Sequence, residues 1–220
     1  MIDLYGHPFA AFAWKALIAA YERDIPFVLK VPDPDCPDVV ARLAELSPTG
    51  QMPALVDGAH AVTGSNSVIG YLDRIGDAPP LIPADPAAAL RAREIADAFD
   101  DYVAIPMQRV VADALRPAGS RDPFGVAQAR AGLERAYAWL DRAVAPHAPR
   151  GWAAGDAFTI ADCAAAPALF YADWVHPIPC ERSALAAYRA RLLARPSVAR
   201  VVEEARPYRH VFPLGAPDRD

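Results

Sequence analysis

The chain has 220 residues, of which 54% are hydrophobic and 22% charged, and its formal net charge is −5. That length allows one large domain or two small ones, each able to bury a core, and the balance is that of a globular chain rather than a disordered one. An acidic sum without any run of Lys or Arg argues against nucleic acid or an anionic membrane surface as a partner, and no stretch approaches the ~18 apolar residues of a membrane span.

Met1-Ile2-Asp3-Leu4 leads directly into a strand-like segment with no basic or apolar leader pattern, so a cytoplasmic location is the expectation. Ile2 to Tyr5 alternates as a strand, which Gly6-His7-Pro8 ends. Trp14, Leu17, Ile18 and Tyr21 then recur at helical spacing. Ile25-Pro26 stops that helix and Phe27 to Val31 reads as a second strand, giving a βαβ unit with parallel pairing. Pro32, Pro34 and Pro37 make the next stretch irregular, and a short helix over Val39 to Leu46 follows. Ala54-Leu55-Val56, the Asp57-Gly58 turn and Ala61-Val62 form a hairpin. Val68, Ile69, Leu72 and Ile75 mark another amphipathic helix. The order is β-α-β-α-β-β-α.

Gly76 to Asp85 holds Pro79, Pro80 and Pro83, a composition suited to a linker. Beyond it no strand pattern recurs. Asp85-Pro86 and Asp122-Pro123 each read as an N-cap with proline at the first helical position. Leu133, Tyr137, Leu140 and Val144 mark one buried helical stripe, and Pro106 should bend or break the first long helix. About five helices are expected in this half. The boundaries are residues 1–76 for the mixed domain, 77–84 for the linker and 85–220 for the all-helical domain.

Cys36, Cys163 and Cys180 are odd in number and far apart, without a CxxC pair, so neither a disulfide framework nor a dithiol redox site is indicated. The five histidines never pair at i, i+4, and no metal site is expected.

Two segments carry chemistry. In Gln51-Met52-Pro53-Ala54-Leu55, a proline directly before a strand cannot donate a ladder bond. It is either an ordinary strand-opening proline, or a cis proline that turns the Met52 N–H and C=O outward to pair with a peptide-like ligand. In Thr63-Gly64-Ser65-Asn66-Ser67, ahead of a helical run, free N–H groups and the helix dipole favour a carboxylate, with Ser65 adding a hydroxyl. The alternative there is an N-cap and nothing more.

Together these segments resemble the glutathione transferase family. Gln51 to Leu55 is similar to its cis-proline loop, and Gly64-Ser65-Asn66-Ser67-Val68-Ile69-Gly70-Tyr71-Leu72 to its Glu-Ser-x-Ala-Ile-x-x-Tyr-Leu signature. Phe158-Thr159-Ile160-Ala161-Asp162-Cys163 looks like the family's capping box and hydrophobic staple, with Thr159 as N-cap and Asp162 as the N3 acid. Arg195-Pro196-Ser197-Val198 and Pro207-Tyr208 resemble the tails of many bacterial members. The resemblance implies a thioredoxin-like N-terminal domain followed by an all-helical domain, with glutathione as co-substrate and no metal. It implies that Gln51 holds the glycine end of glutathione, Met52 and Pro53 present the main chain to its cysteine, and Gly64-Ser65 receives the γ-glutamyl carboxylate. A small apolar electrophile would lie against the helical domain, with Phe99, Tyr102, Pro106, Tyr171 and Trp174 as candidate walls, although an aromatic stripe at helical spacing also reads as core. A homodimer is implied as well.

The sequence departs from the family pattern in two places. Serine-type members carry Ser or Cys at the start of the first helix, where this chain has Ala10, Ala11 and Phe12, and Gly64 stands where an acid is usual. Tyr5 and His7 are the nearest candidates to activate the thiol. Conjugation of glutathione, glutathione-dependent isomerisation or dehalogenation, and a non-catalytic binding or assembly role are the three functions open at this stage.

Overall fold

The computed structural model describes residues 1–220. Four strands and three helices come first: β1 Ile2–Tyr5, α1 Ala11–Glu22, β2 Phe27–Lys30, α2 Pro37–Leu46, β3 Ala54–Asp57, β4 His60–Thr63 and α3 Ser65–Ile75. The sheet order is β2-β1-β3-β4. β1 pairs parallel with β2, as the intervening helix requires, and antiparallel with β3, which forms a hairpin with β4. Alternation along β1 sends Ile2 and Leu4 into the main core beside α1 and α3. Tyr5 goes to the other face, in a small cluster with Leu43 of α2 and Ala54.

Six α-helices follow: α4 Pro86–Phe99, α5 Ile105–Ala114, α6 Pro123–Val144, α7 Ile160–Val175, α8 Ser183–Leu193 and α9 Pro196–Ala205. Asp85 and Asp122 cap α4 and α6 by accepting from the Ala88 and Gly125 N–H groups, each at 2.8 Å. Pro106 neither breaks the first long helix nor leaves it α-wound. Asp100–Ala104 forms a π-helical turn that joins α4 to α5. A wider turn accommodates a residue with no N–H and relieves the clash of its ring with the carbonyl four residues back. Counting α4 and α5 separately is why there is one helix more than the sequence pattern suggests. α2 begins at Pro37, two residues earlier than its apolar pattern, because proline is well placed at a first helical position.

α7 is the spine. Every one of its residues is buried, and its alanines let α1, α4 and α8 approach closely. Thr159 accepts from the Ala161 N–H at 3.3 Å and Asp162 reaches back to the Thr159 N–H at 2.8 Å, completing a capping box. Asp162 is fully buried and also accepts from the Ala153 N–H and the Tyr188 hydroxyl. Trp14 of α1 has no exposed surface and packs against Phe170 and Tyr171 of α7, so one core of 50 buried residues runs through both halves. No helix is long and apolar enough to cross a membrane.

Candidate functional site

α1 opens without a polar cap. Ala10 is the N-cap in extended backbone and offers no side-chain bond, so the Ala11 and Phe12 N–H groups have no partner in the protein. The loop before them is held from several sides. The Phe9 N–H donates to His7 Nδ1 at 3.0 Å, the Phe9 carbonyl accepts from the Tyr171 hydroxyl at 3.1 Å, and the Trp14 indole N–H donates to the Pro8 carbonyl at 2.5 Å. Two unpaired donors and the positive end of a twelve-residue helix therefore sit at a fixed place.

The second wall comes from the loop that enters β3. The Met52–Pro53 peptide is cis, and the Met52 N–H and C=O lie just ahead of the first ladder residue, Ala54, with no main-chain partner. The Pro53 carbonyl accepts from the Gly64 N–H at 3.2 Å, which ties this loop to the start of α3. Gly64 is the α3 N-cap with φ 84°, a conformation disfavoured by any side chain with a Cβ. Ser65 is thus the first helical residue rather than a cap. The N–H groups of Ser65, Asn66 and Ser67 stay free, and the Ser65 hydroxyl has no acceptor of its own.

Beneath α3 lies a buried ionic cluster. Lys15 of α1, 1% exposed, donates to Asn66 Oδ1 at 2.7 Å and pairs with Asp100 of the π turn, to which Asn66 Nδ2 also donates at 3.3 Å. Burial lowers the Lys15 pKa and raises that of Asp100, each against the pull of the other charge. The cluster fixes the first turn of α3 against α1 and the helical half.

These elements enclose a cradle of about 700 Å³, lined by Phe9 to Phe12, Ser47, Thr49 to Pro53, Thr63 to Ser65, and Gln108 of α5. Gln51, Met52, Pro53, Gly64 and Ser65 are therefore brought together. Gln108 escaped the sequence reading. A lone glutamine on an amphipathic helix carries no local signal, and the π turn sets the direction it faces. A smaller apolar pocket of about 230 Å³ adjoins the cradle. It shares Phe9 and Ala11 and is closed by Val111, Leu115, Tyr171, Val211, Phe212 and Pro213.

Several candidates lie elsewhere. Tyr5 is not in the cradle, because strand alternation turns it beneath α2. His7 also lies outside. Its ring meets Tyr208 edge-on, with centroids 4.6 Å apart, its Nδ1 is occupied by the Phe9 N–H, and burial holds its pKa below the ordinary value against nearby Asp33. Phe99 is 0% exposed and stacks on Tyr188, so it is core rather than wall. Tyr102 and Pro106 open instead on a groove between α5 and α6, because the π turn carries them to that side. Trp174 is packed behind Phe9 and Phe212, which leaves Tyr171 as the one predicted wall residue in the apolar pocket. Burial pushes the Tyr171 pKa up, so its phenol stays protonated and is committed to the Phe9 carbonyl. No group of His, Cys, Asp or Glu side chains is arranged to hold a metal ion.

Residues 4–80 match the family model described as glutathione S-transferase, N-terminal domain, and residues 123–191 the one described as glutathione S-transferase, C-terminal domain. A glutathione S-transferase of Methylobacterium radiotolerans, solved in complex with glutathione sulfonate, is 28% identical with a TM-score of 0.77, covering 91% of this chain and 94% of that one. A glutathione S-transferase from Rhodospirillum rubrum superposes with a TM-score of 0.80 at 22% identity, covering 99% and 97% of the two chains. The probable maleylacetoacetate isomerase of Caenorhabditis elegans is 27% identical over 92 residues, which are 42% of this chain and 43% of that protein, so the match spans less than half of either.

Proposed function

Because the chain belongs to the glutathione transferase family, we propose that it holds glutathione in the cradle and adds the thiol to a small apolar electrophile in the adjoining pocket. Residues 1–76 would form the peptide-binding domain, 77–84 the linker and 85–220 the domain that walls the electrophile, in a homodimer. The observation that carries this reading is the pair of unpartnered N–H groups, Ala11 and Phe12, where the two cavities meet. Met52 would pair with the cysteinyl backbone, Gln51 with the glycine end, and the free first turn of α3 with Ser65 would take the γ-glutamyl carboxylate.

The energetics of thiol activation favour the main chain. A cysteine thiol with pKa ~8.5 needs ~2.7 kcal/mol of differential stabilisation to ionise two units lower. A helix N-terminus supplies ~0.3–1 and at most ~2 kcal/mol, whereas a hydrogen bond to a charged atom supplies ~1.5–3 kcal/mol. Two such donors reach the requirement without a serine, and the Gln108 amide is a third within the same cavity. The shared wall at Ala11 sets the sulfur beside the electrophile, so the reactants meet already oriented.

Ala11→Pro tests this assignment. Ala11 is the first helical residue, and the extended Ala10 suits a following proline, so the helix should persist while one donor disappears. The pKa of bound glutathione, read from thiolate absorbance across a pH series, should rise by about one to two units, one charge-assisted bond's worth. An unchanged value would clear the α1 amides of this role.

A second reading rests on the isomerase relative. The same thiolate could add to an unsaturated acid, allow rotation about the bond and leave again. Glutathione would then be required but not consumed, and titrating free thiol after turnover separates the two.

A further inference from the structure

Past the short 3₁₀ turn Arg206–Val211 that follows α9, the chain doubles back at Gly215, whose φ is 78°. The Gly215 N–H donates to the Phe212 carbonyl at 2.9 Å, and Arg209 donates to the Arg219 carbonyl at 2.6 Å, so residues 206–220 form a folded strap. Its inner edge, Val211 to Pro213, closes the apolar pocket, and Phe212 is 6% exposed against Tyr171 and Trp174. Polar contacts hold the outer edge. Asp220 pairs with Arg206 and Arg209, Arg209 lies over the Trp174 ring, and Arg219 pairs with Asp173 of α7 while donating to its carbonyl.

Asp173 has a second partner in reserve. Arg189 of α8 stands with Nη2 3.5 Å from the same Asp173 oxygen that Arg219 engages, and that buried nitrogen has no hydrogen-bond partner. The other Asp173 oxygen keeps the Ile178 N–H at 2.9 Å. Losing Arg219 would therefore strand no buried carboxylate, because Arg189 can take the vacated oxygen. Arg206 and Asp220 are part-exposed, so their pair is weak and screened by salt, and the Arg219 guanidinium is likewise part-exposed although its partner Asp173 is buried. The closed pocket, at about 230 Å³, is also smaller than the ~300–1,000 Å³ of ordinary ligand sites.

We propose that residues 206–220 are a releasable strap that selects electrophiles by size, with Asp173 passing from Arg219 to Arg189 as it opens. The inference rests on the reading of the apolar pocket as the electrophile site. Two tests are made on the full chain: hydrogen exchange of residues 206–220, and kcat/KM for a compact and a bulky aryl halide at saturating glutathione. In Arg219→Met the strap amides exchange faster, and the bulky-to-compact ratio of kcat/KM rises roughly fivefold, the scale of one part-exposed ion pair. About 0.5 M salt shifts the parent in the same direction. Arg189→Met moves the ratio the other way, since Asp173 then has only Arg219. Unchanged exchange, or faster exchange with an unchanged ratio, overturns the proposal. If no electrophile is turned over, the functional reading fails, and the strap is judged by exchange together with uptake of anilinonaphthalenesulfonate, which must increase in Arg219→Met for the strap to stand.

Discussion

At the level of single residues, the cradle presents unpartnered main-chain N–H groups, and no side-chain hydroxyl, at the start of α1. Ala10 occupies the N-cap of α1 in extended backbone, which serine adopts readily. Ala10→Ser puts a hydroxyl beside the proposed thiolate. Because the main-chain donors already bring the thiol to about two units below ~8.5, the gain should appear near pH 5, as roughly fivefold faster conjugation, and fade by pH 7. Initial rates across this pH range check it, and an unchanged profile would place the sulfur out of reach. That Gln51, Met52, Pro53, Gly64 and Ser65 gather at one cradle was legible in the sequence, because proline, glycine and serine report backbone geometry locally. The placement of Tyr5 and His7 outside the cradle was not legible, because closeness along the chain does not fix closeness in space. Alternation along β1 sends Tyr5 to the far face, and His7 turns back to its own loop.

At the level of elements, the start of α7 and the π turn show what pattern conveys and what it omits. The capping box was legible at Thr159 and Asp162, since its spacing is fixed by one helical turn. Its further bonds to Ala153 and Tyr188 were not, because they depend on α8 and a preceding loop. Thr159→Ala should cost about 1 kcal/mol. Asp162→Ala, which leaves the Ala153 and Thr159 N–H groups and the Tyr188 hydroxyl buried without an acceptor, should cost about 3 kcal/mol or more. Denaturant unfolding of the two variants checks the order, and equal losses would mean that Asp162 acts only as a cap. Pro106 signalled an irregularity but not its kind. A proline inside a helix can kink it, end it or widen it, and packing around α7 decides which.

At the level of the whole molecule, the two halves are joined by a core and by ions. Glu22 at the end of α1 accepts from Arg195 Nε at 2.8 Å and Nη2 at 2.6 Å, and from the Ser197 hydroxyl, across the α8–α9 junction. Burial alone would raise its pKa, but the bonds from Arg195 and Ser197 outweigh it and hold the carboxyl below its ordinary 4.5. A depressed folded pKa means stability that is present above about 4.5 and lost as acid protonates the group below it. The parent should therefore lose melting stability as pH falls through that range. Glu22→Gln should be less stable at neutral pH with a flatter acid limb, and parallel curves would exclude the link. The tie between halves was invisible in the sequence, since Glu22 and Arg195 are 173 positions apart. The shared spine has a last consequence. With Trp14 wedged into α7, heat must undo both halves in a single event, so a small thiol peptide gripped by the first half alone would shield the second from melting.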